Sequence, residues 1–232
     1  MRIALIADLH GNWPATQALD KDLQKQKVDQ VFCLGDMVGK GPSSDRTFDW
    51  TMANCALVLG GNWDYGIGAK RFPNDHSYWN QLGEKRLAVL SALPREHSTM
   101  FSNRNIRLFH GRPLMDELVT ASAPSEVIAP FFTGKNQEHY DAAIYADTHR
   151  QALRTMTPGL FANCGSVGNA LGEPRCCYAL LDGAQNGDGE FELRFRQVDY
   201  DRAKAIEDAR QAPDIPGIDL YIREIETGRY SR

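Results

Sequence analysis

The sequence has no apolar stretch approaching the ~18 residues that a membrane-crossing helix needs. Its N-terminal run Ile3-Ala4-Leu5-Ile6-Ala7 is cut by Asp8 and His10, and no small-residue cleavage site follows, so neither insertion nor export is expected. It has no surplus of positive charge either. The 26 Lys and Arg residues against 30 Asp and Glu give −4, whereas duplex nucleic acid or an anionic membrane would call for a basic face. The five cysteines (Cys33, Cys55, Cys164, Cys176, Cys177) are odd in number and contain no C-x-x-C pair, which argues against a disulfide framework and a thiolate zinc site. They read as small buried hydrophobes in a protein of the reducing cytoplasm. Two nucleotide- and acyl-transfer signatures are also missing. Gly35–Lys40 is one residue short of a phosphate-binding loop and is followed by Gly41, and Cys164–Gly168 lacks the first glycine of a nucleophile elbow.

What remains is the composition of a folded domain: 232 residues, 42% hydrophobic and 24% charged. One domain spanning 1–232 is expected, with a helical tail from about 201 interrupted by Pro213 and Pro216. Strands are read at Arg2–Ala7, Gln30–Leu34 and Cys55–Leu59. Between the first two, Pro14 opens a helix with Ala15, Ala18, Leu19 and Leu23 at helical spacing; between the last two, Ser43 or Ser44 caps a helix over Thr47–Met52. This β-α-β-α-β order implies parallel strands with right-handed crossovers. A helix from Ser77 to Ala92 with Leu82, Leu87, Val89 and Leu90 inward, a hairpin at Ser98–Phe109, and strands at Ala142–Ala146, Leu160–Asn163, Tyr178–Leu181 and Phe191–Val198 complete the reading. The second half is expected to be antiparallel, which makes two face-packed sheets with helices outside.

The ends of the first three strands carry Asp8-Leu9-His10-Gly11-Asn12, Gly35-Asp36 and Gly60-Gly61-Asn62-Trp63-Asp64. Asp8 to Asp36 is 28 residues and Asp36 to Asn62 is 26, each about one βαβ unit. Equivalent ends of adjacent parallel strands converge on one edge of the sheet, where open α/β sheets bind ligands. His110, and Asp147 with His149, follow later strands in the same way. An Asp-x-His pair on extended backbone would send both side chains to one face. Seven oxygen and imidazole donors exceed one tetrahedral site and suit two divalent cations of intermediate hardness, Mn, Fe or Zn. His76, His97 and His139 fit no such pattern.

Five ordered segments, Asp8–Asn12, Gly35–Pro42, Gly61–Asp64, His110-Gly111 and Asp147–His149, resemble the motifs of calcineurin-like metallophosphoesterases. Asn163–Gly168 and Pro174-Arg175 are similar to a later segment of its small bacterial phosphodiesterase-like members. The resemblance implies an α/β fold, a four-layer αββα sandwich with two mixed β-sheets. It also implies that Asp8, His10, Asp36 and His149 hold a first metal, and that Asn62, His110 and Asp147, with a bridging Asp36, hold a second. Asp36, Asn62 and His110 then stand as the catalytic residues of a hydrolase. Two cations lower the pKa of a shared water enough for hydroxide to attack phosphorus in line.

Two positions depart from that family pattern: Asp147 stands where His is usual, and Trp63 where His or Cys often follows the motif Asn. Without an acid at 63 the enzyme would depend on a good leaving group, unless Asp64 or His76 substitutes. Trp63 would otherwise stack on a nucleobase or wall the pocket. Lys40 and Arg112 are candidate phosphate contacts or plain surface charges, and Asn12 serves either a turn or the substrate. The expected partner is a small phosphorylated molecule, a nucleotide among the candidates. The competing reading is a metal-binding scaffold with this fold and weakened chemistry, as in the retromer subunit.

Overall fold

The computed structural model describes residues 1–231. The N-terminal part runs β1 (Arg2–Ile6), α1 (Trp13–Gln26), β2 (Gln30–Cys33), α2 (Ser44–Asn54), β3 (Leu57–Val58), α3 (Asn62–Gly68) and α4 (His76–Ala92). Then come β4 (Glu96–Phe101), β5 (Arg104–Phe109), α5 (Ser125–Ile128), β6 (Ala142–Tyr145), β7 (Gln151–Met156), β8 (Gly159–Cys164), β9 (Cys176–Gly183) and β10 (Phe191–Val198). Helices α6 (Arg202–Arg210) and α7 (Ile218–Thr227) form the tail.

Two five-stranded mixed sheets face each other, ordered β10-β9-β1-β2-β3 and β4-β5-β6-β8-β7. Strand β1 shows why they must. Its apolar run buries both faces, as a central parallel strand does. Ile3 and Leu5 turn inward to meet Ile106, Leu108, Ile144 and Ala162 of the second sheet. Ala4 and Ile6 turn outward to Ala15, Leu19 and Leu23 of α1. The outer face of the second sheet, Phe109, Tyr145 and Phe161, packs under Ile128 and Phe132 at α5 and the turn after it. The tail packs through Ile218, Tyr221 and Ile225 on the cluster that holds Met37, Val38 and Tyr78. The layers are therefore α-β-β-α, as the motifs imply.

Some local expectations fail. The second half is not uniformly antiparallel: β5, β6 and β8 pair in parallel, and β9 and β10 cross back to the first sheet. Edge strand β7 was not foreseen, because Gln151, Arg154 and Thr155 carry little strand signal and it pairs only with β8. Ser43 makes no side-chain cap; the Ser44 hydroxyl instead accepts from the Gly39 N–H at 3.0 Å. Val89 is exposed, since Gly83 (φ +70°) breaks α4 and the continuation turns Leu87 and Leu90 inward.

Candidate metal centre

Asp8 and His10 follow β1, Asp36 follows β2, and Asn62 opens α3 just after β3. His110 follows β5, while Asp147 and His149 follow β6. These are the carboxyl ends of parallel strands in both sheets, and the two edges meet there.

The local backbone is not the extended chain expected for the Asp-x-His pairs. Asp8 (φ +54°), His10 (+46°), Asp36 (+54°), Asp147 (+69°) and His149 (+57°) are all left-handed. With Lys40 they make six of the eleven non-glycine left-handed residues described, so backbone strain is concentrated at this site. Convergence thus comes from tight turns pinned by neighbouring loops and not from strand alternation. The Asp8 N–H donates to the Gly35 carbonyl at 2.9 Å and that of His10 to the Asp36 carbonyl at 3.1 Å. Gly168 lets its loop approach: a Cβ there would lie 1.9 Å from the Leu9 carbonyl oxygen.

Each histidine is fixed by a backbone carbonyl. Nδ1 of His10 meets the Val38 carbonyl at 3.2 Å, that of His110 the Leu34 carbonyl at 2.8 Å, and that of His149 the Asn169 carbonyl at 2.7 Å. A carbonyl only accepts, so each Nδ1 carries a proton; His10 and His149, held neutral by burial, then present the Nε2 lone pair inward. The Nε2 atoms of His10 and His149 face each other at 3.2 Å. Two lone pairs that close repel unless a cation stands beside them. Asp8 Oδ1 is 3.5 Å from His149 Nε2 and 3.8 Å from both His10 Nε2 and His110 Nε2. Asp36 Oδ2 is 3.3 Å from His110 Nε2 and 3.7 Å from His10 Nε2.

Both carboxylate oxygens of Asp8, Oδ1 of Asn62 and Nε2 of His110 are buried without a hydrogen-bond partner. Buried polar atoms without partners are costly, and those of Asp8 and His110, with Asp8 Oδ1 3.8 Å from His110 Nε2, call for an ion. The ligand atoms form two groups, Asp8/His10/His149 and Asp8/Asp36/His110, each within 4.8 Å. Carboxylates with imidazoles are a donor set for divalent Mn, Fe or Zn, so the residues present fit a metal.

Electrostatics agree. Burial, reinforced by Lys40, holds His10 and His149 well below the usual imidazole range, which keeps them neutral ligands. Burial alone would do the same to His110, but Asp36 and Asp8 overcome it and push it up. Burial, together with Asp36 and Asp147, drives the Asp8 carboxyl well up. Such a site is short of positive charge.

The structure brings Asp8, His10, Asp36, Asn62, His110 and His149 together and gives Asp147 a different partner. Its Oδ1 accepts from Arg112 Nη2 at 2.6 Å, and its Oδ2 from Arg112 Nε at 2.8 Å and the Arg112 N–H at 2.9 Å. Asp147 accordingly lies outside both ligand groups.

Asn12 is structural. It caps α1 through the Ala15 N–H (3.1 Å) and donates to the Gly168 carbonyl (2.8 Å). Lys40 is no surface charge: it is buried, donates to Asn169 Oδ1 at 2.7 Å and lies 3.6 Å from Glu224 of α7. The Trp63 N–H holds Asp36 Oδ1 at 2.9 Å, and its indole stands edge-on to His10. His76 is exposed against Trp79.

Two positioning groups, Asn169 and Glu224, escaped sequence reasoning, and a third, Asp64, has another role than the acid considered for it. Asp64 is no acid facing substrate: its carboxylate accepts from the backbone N–H groups of Asp36 (2.7 Å), Met37 (3.1 Å), Val38 (3.4 Å) and Gly61 (3.0 Å). Its signal was the carboxylate three residues after Gly61, at the start of a helix. Asn169 and Glu224 gave no signal, because neither lies in a motif.

A cavity of about 760 Å³ opens over the ligands. Its polar lining includes Asp36, Asn62, Asp147, His149, Lys40 and Arg112, with Asn74, Asp75 and Thr148, and Trp63, Ile67, Phe72, Leu118, Leu171 and Tyr230 supply apolar wall. Phe72 (54% exposed), Leu118 (40%) and Tyr230 (62%) are large apolar side chains left open to solvent at that wall.

Residues 1–186 match the model of the calcineurin-like phosphoesterase superfamily domain. The chain belongs to that superfamily. It is 26% identical over 236 residues to the uncharacterized protein MJ0912 of Methanocaldococcus jannaschii, covering 88% of this chain and 90% of that one. In structure it is similar to PH1004, a hypothetical protein from Pyrococcus horikoshii OT3, with TM-score 0.78, 19% identity and 99% of each chain covered. It is also similar to a metallophosphoesterase from Sphaerobacter thermophilus, with TM-score 0.75, 22% identity, and 98% of this chain and 99% of that one covered. YfcE, a phosphoesterase from E. coli, matches at TM-score 0.52 and 16% identity over 86% of this chain and 100% of its own. The superfamily model ends at 186, so Tyr230 and Glu224 reach the site from a segment outside it.

Proposed function

We propose that this protein is a metal-dependent phosphoesterase whose substrate joins a phosphoryl group to a flat, apolar group such as an aryl ring or nucleobase. The observation that carries it is the pair of Nε2 lone pairs of His10 and His149 at 3.2 Å beside an Asp8 carboxylate with no partner. Divalent cations bound there would acidify water and neutralise charge on the phosphoryl oxygens.

The chain's own residues do the rest. Asp36, held by the Trp63 N–H and by Asp64 behind it, belongs to the second ligand group and has Oδ2 3.7 Å from His10 of the first, so it could serve both, as could Asp8, which the two groups share. Asn62 presents a neutral oxygen, and its amide N–H2 supplies a donor for a phosphoryl oxygen as charge develops. The Arg112 guanidinium, whose Nη1 has no hydrogen bond among the described residues, offers a further donor at the cavity. Trp63, Phe72 and Tyr230 supply aromatic faces for the remainder of the substrate. The indole at 63 cannot protonate a leaving oxygen, so aryl esters and phosphoanhydrides are cleaved in preference to alkyl esters.

The departures at 63 and 147 support a second reading, a metal-binding scaffold with weakened chemistry. One experiment separates the two. Chelated protein is assayed on an aryl phosphodiester and an aryl phosphomonoester with and without Mn²⁺, and its metal content is counted. Cation-restored hydrolysis supports the enzyme. Cation uptake without hydrolysis supports the scaffold, and absence of uptake overturns both.

A further inference from the structure

The two ligand groups are unequal. Asp8, His10 and His149 form a closed set, with Asp36 Oδ2 3.7 Å from His10 Nε2. Beside Asp36 and His110, the second group can draw on Asn62, which is neutral, and on Asp8, which the first group also needs. Asp147 is the remaining anion next to it: it lines the same cavity as Asp36 and Asn62, and the Ala146 N–H just before it donates to the His110 carbonyl at 2.7 Å. Both its oxygens, however, are gripped by Arg112 in a fork of 2.6 and 2.8 Å, with the Arg112 N–H adding a third bond at 2.9 Å. Gly111 makes the grip possible, since a Cβ there would lie 2.7 Å from that of Asp147.

We propose that Arg112, by holding Asp147, keeps the second cation position one carboxylate short, so that the two positions fill at well-separated metal concentrations. This rests on the metal-dependent reading above. The fork is what matters: a bidentate guanidinium–carboxylate pair is stronger and more directional than a lone ammonium contact. Lysine at 112 would keep the positive charge while loosening the hold on Asp147.

Calorimetric titration of chelated protein with Mn²⁺ alone, checked by elemental analysis, tests this. Wild type should show two steps with midpoints at least tenfold apart. Arg112→Lys should narrow the gap at least threefold and leave the first midpoint within twofold. The double variant R112Q/D147N keeps the pair's net charge at zero and removes a carboxylate that wild type withholds, so its second midpoint should stay within threefold of wild type. The metal-free melting temperature of each variant confirms that it folds.

Two equal steps in wild type, an unchanged gap in Arg112→Lys, or a second midpoint weakened more than tenfold in the double variant would each overturn the inference alone. That last result would make Asp147 a direct ligand. A chain that takes up no cation would overturn the metal-dependent reading as well.

Discussion

Asp64 offers the sharpest test of how the site is held. Its two oxygens accept four backbone N–H groups, at 2.7 and 3.0 Å on Oδ2 and 3.1 and 3.4 Å on Oδ1. Three of the donors belong to the Asp36 turn, which is left-handed and cannot be held by strand pairing. Burial and the nearby Asp36 push the Asp64 carboxyl up to about 7, while the N–H groups of Gly61 and Asp36 pull the other way. In Asp64→Asn one oxygen remains and an amide N–H2 faces the other two donors. Leaving two buried N–H groups unsatisfied costs about 1–3 kcal/mol each, so the loss is about 2–6 kcal/mol. For a chain of this size that lowers the melting temperature by about 5–20 °C. Urea unfolding of chelated protein, followed by far-UV circular dichroism, measures it without any contribution from bound cations. A loss below about 0.5 kcal/mol would refute the claim that Asp64 supports the Asp36 turn.

Three further outcomes are expected. Asp36→Asn should lower cation uptake by at least one equivalent per chain in elemental analysis, because the second candidate group loses one of its two carboxylates; unchanged uptake would count against the site. The double change Phe72→Ala with Tyr230→Ala should raise KM for an aryl phosphate by about tenfold, since a lost aromatic stack costs about 1–3 kcal/mol, while KM for glycerol phosphate stays within twofold. Away from the site, Asp22 is bound by Tyr178 (2.7 Å) and Arg196 (3.0 Å). Burial alone would raise its carboxyl, but those partners outweigh it and hold it below the usual range. A depressed folded-state pKa stabilises above the unfolded value of about 3.9 and is lost as pH falls through the folded one. The melting-temperature gap between wild type and Arg196→Gln should thus be full at pH 7 and close below about pH 4.

The parallel part of the first sheet was legible because a βαβ unit has a narrow length range, and 28 and 26 residues between Asp8, Asp36 and Asn62 fit it. Glycines beside Asp36 and Asn62 then marked turns at strand ends. The return of β9 and β10 beside β1 was not legible, since spatial order need not follow chain order. Nor was the burial of Lys40, whose partner Glu224 lies 184 residues on. Hydrophobic patterning reports one element at a time, whereas a buried ion pair joins two elements chosen by the packing. The left-handed turns escaped for a related reason. Asp and His tolerate that conformation without advertising it, and the alternation rule assumes a strand that has already ended. Asp147 and Arg112 were each singled out, but separately; neither residue revealed that it would occupy the other.

The candidate ligands come from opposite sides of the sandwich: Asp8, His10, Asp36 and Asn62 from one sheet, His110 and His149 from the other. Any ion seated among them is a rivet through both leaves, placed at their rim. At a hundred times its dissociation constant, such a ligand adds about 2.7 kcal/mol to the folded form. The amides of β1, β2, β5 and β6 should then exchange their hydrogens more slowly in loaded protein. Metal supply would set how long the two leaves stay shut.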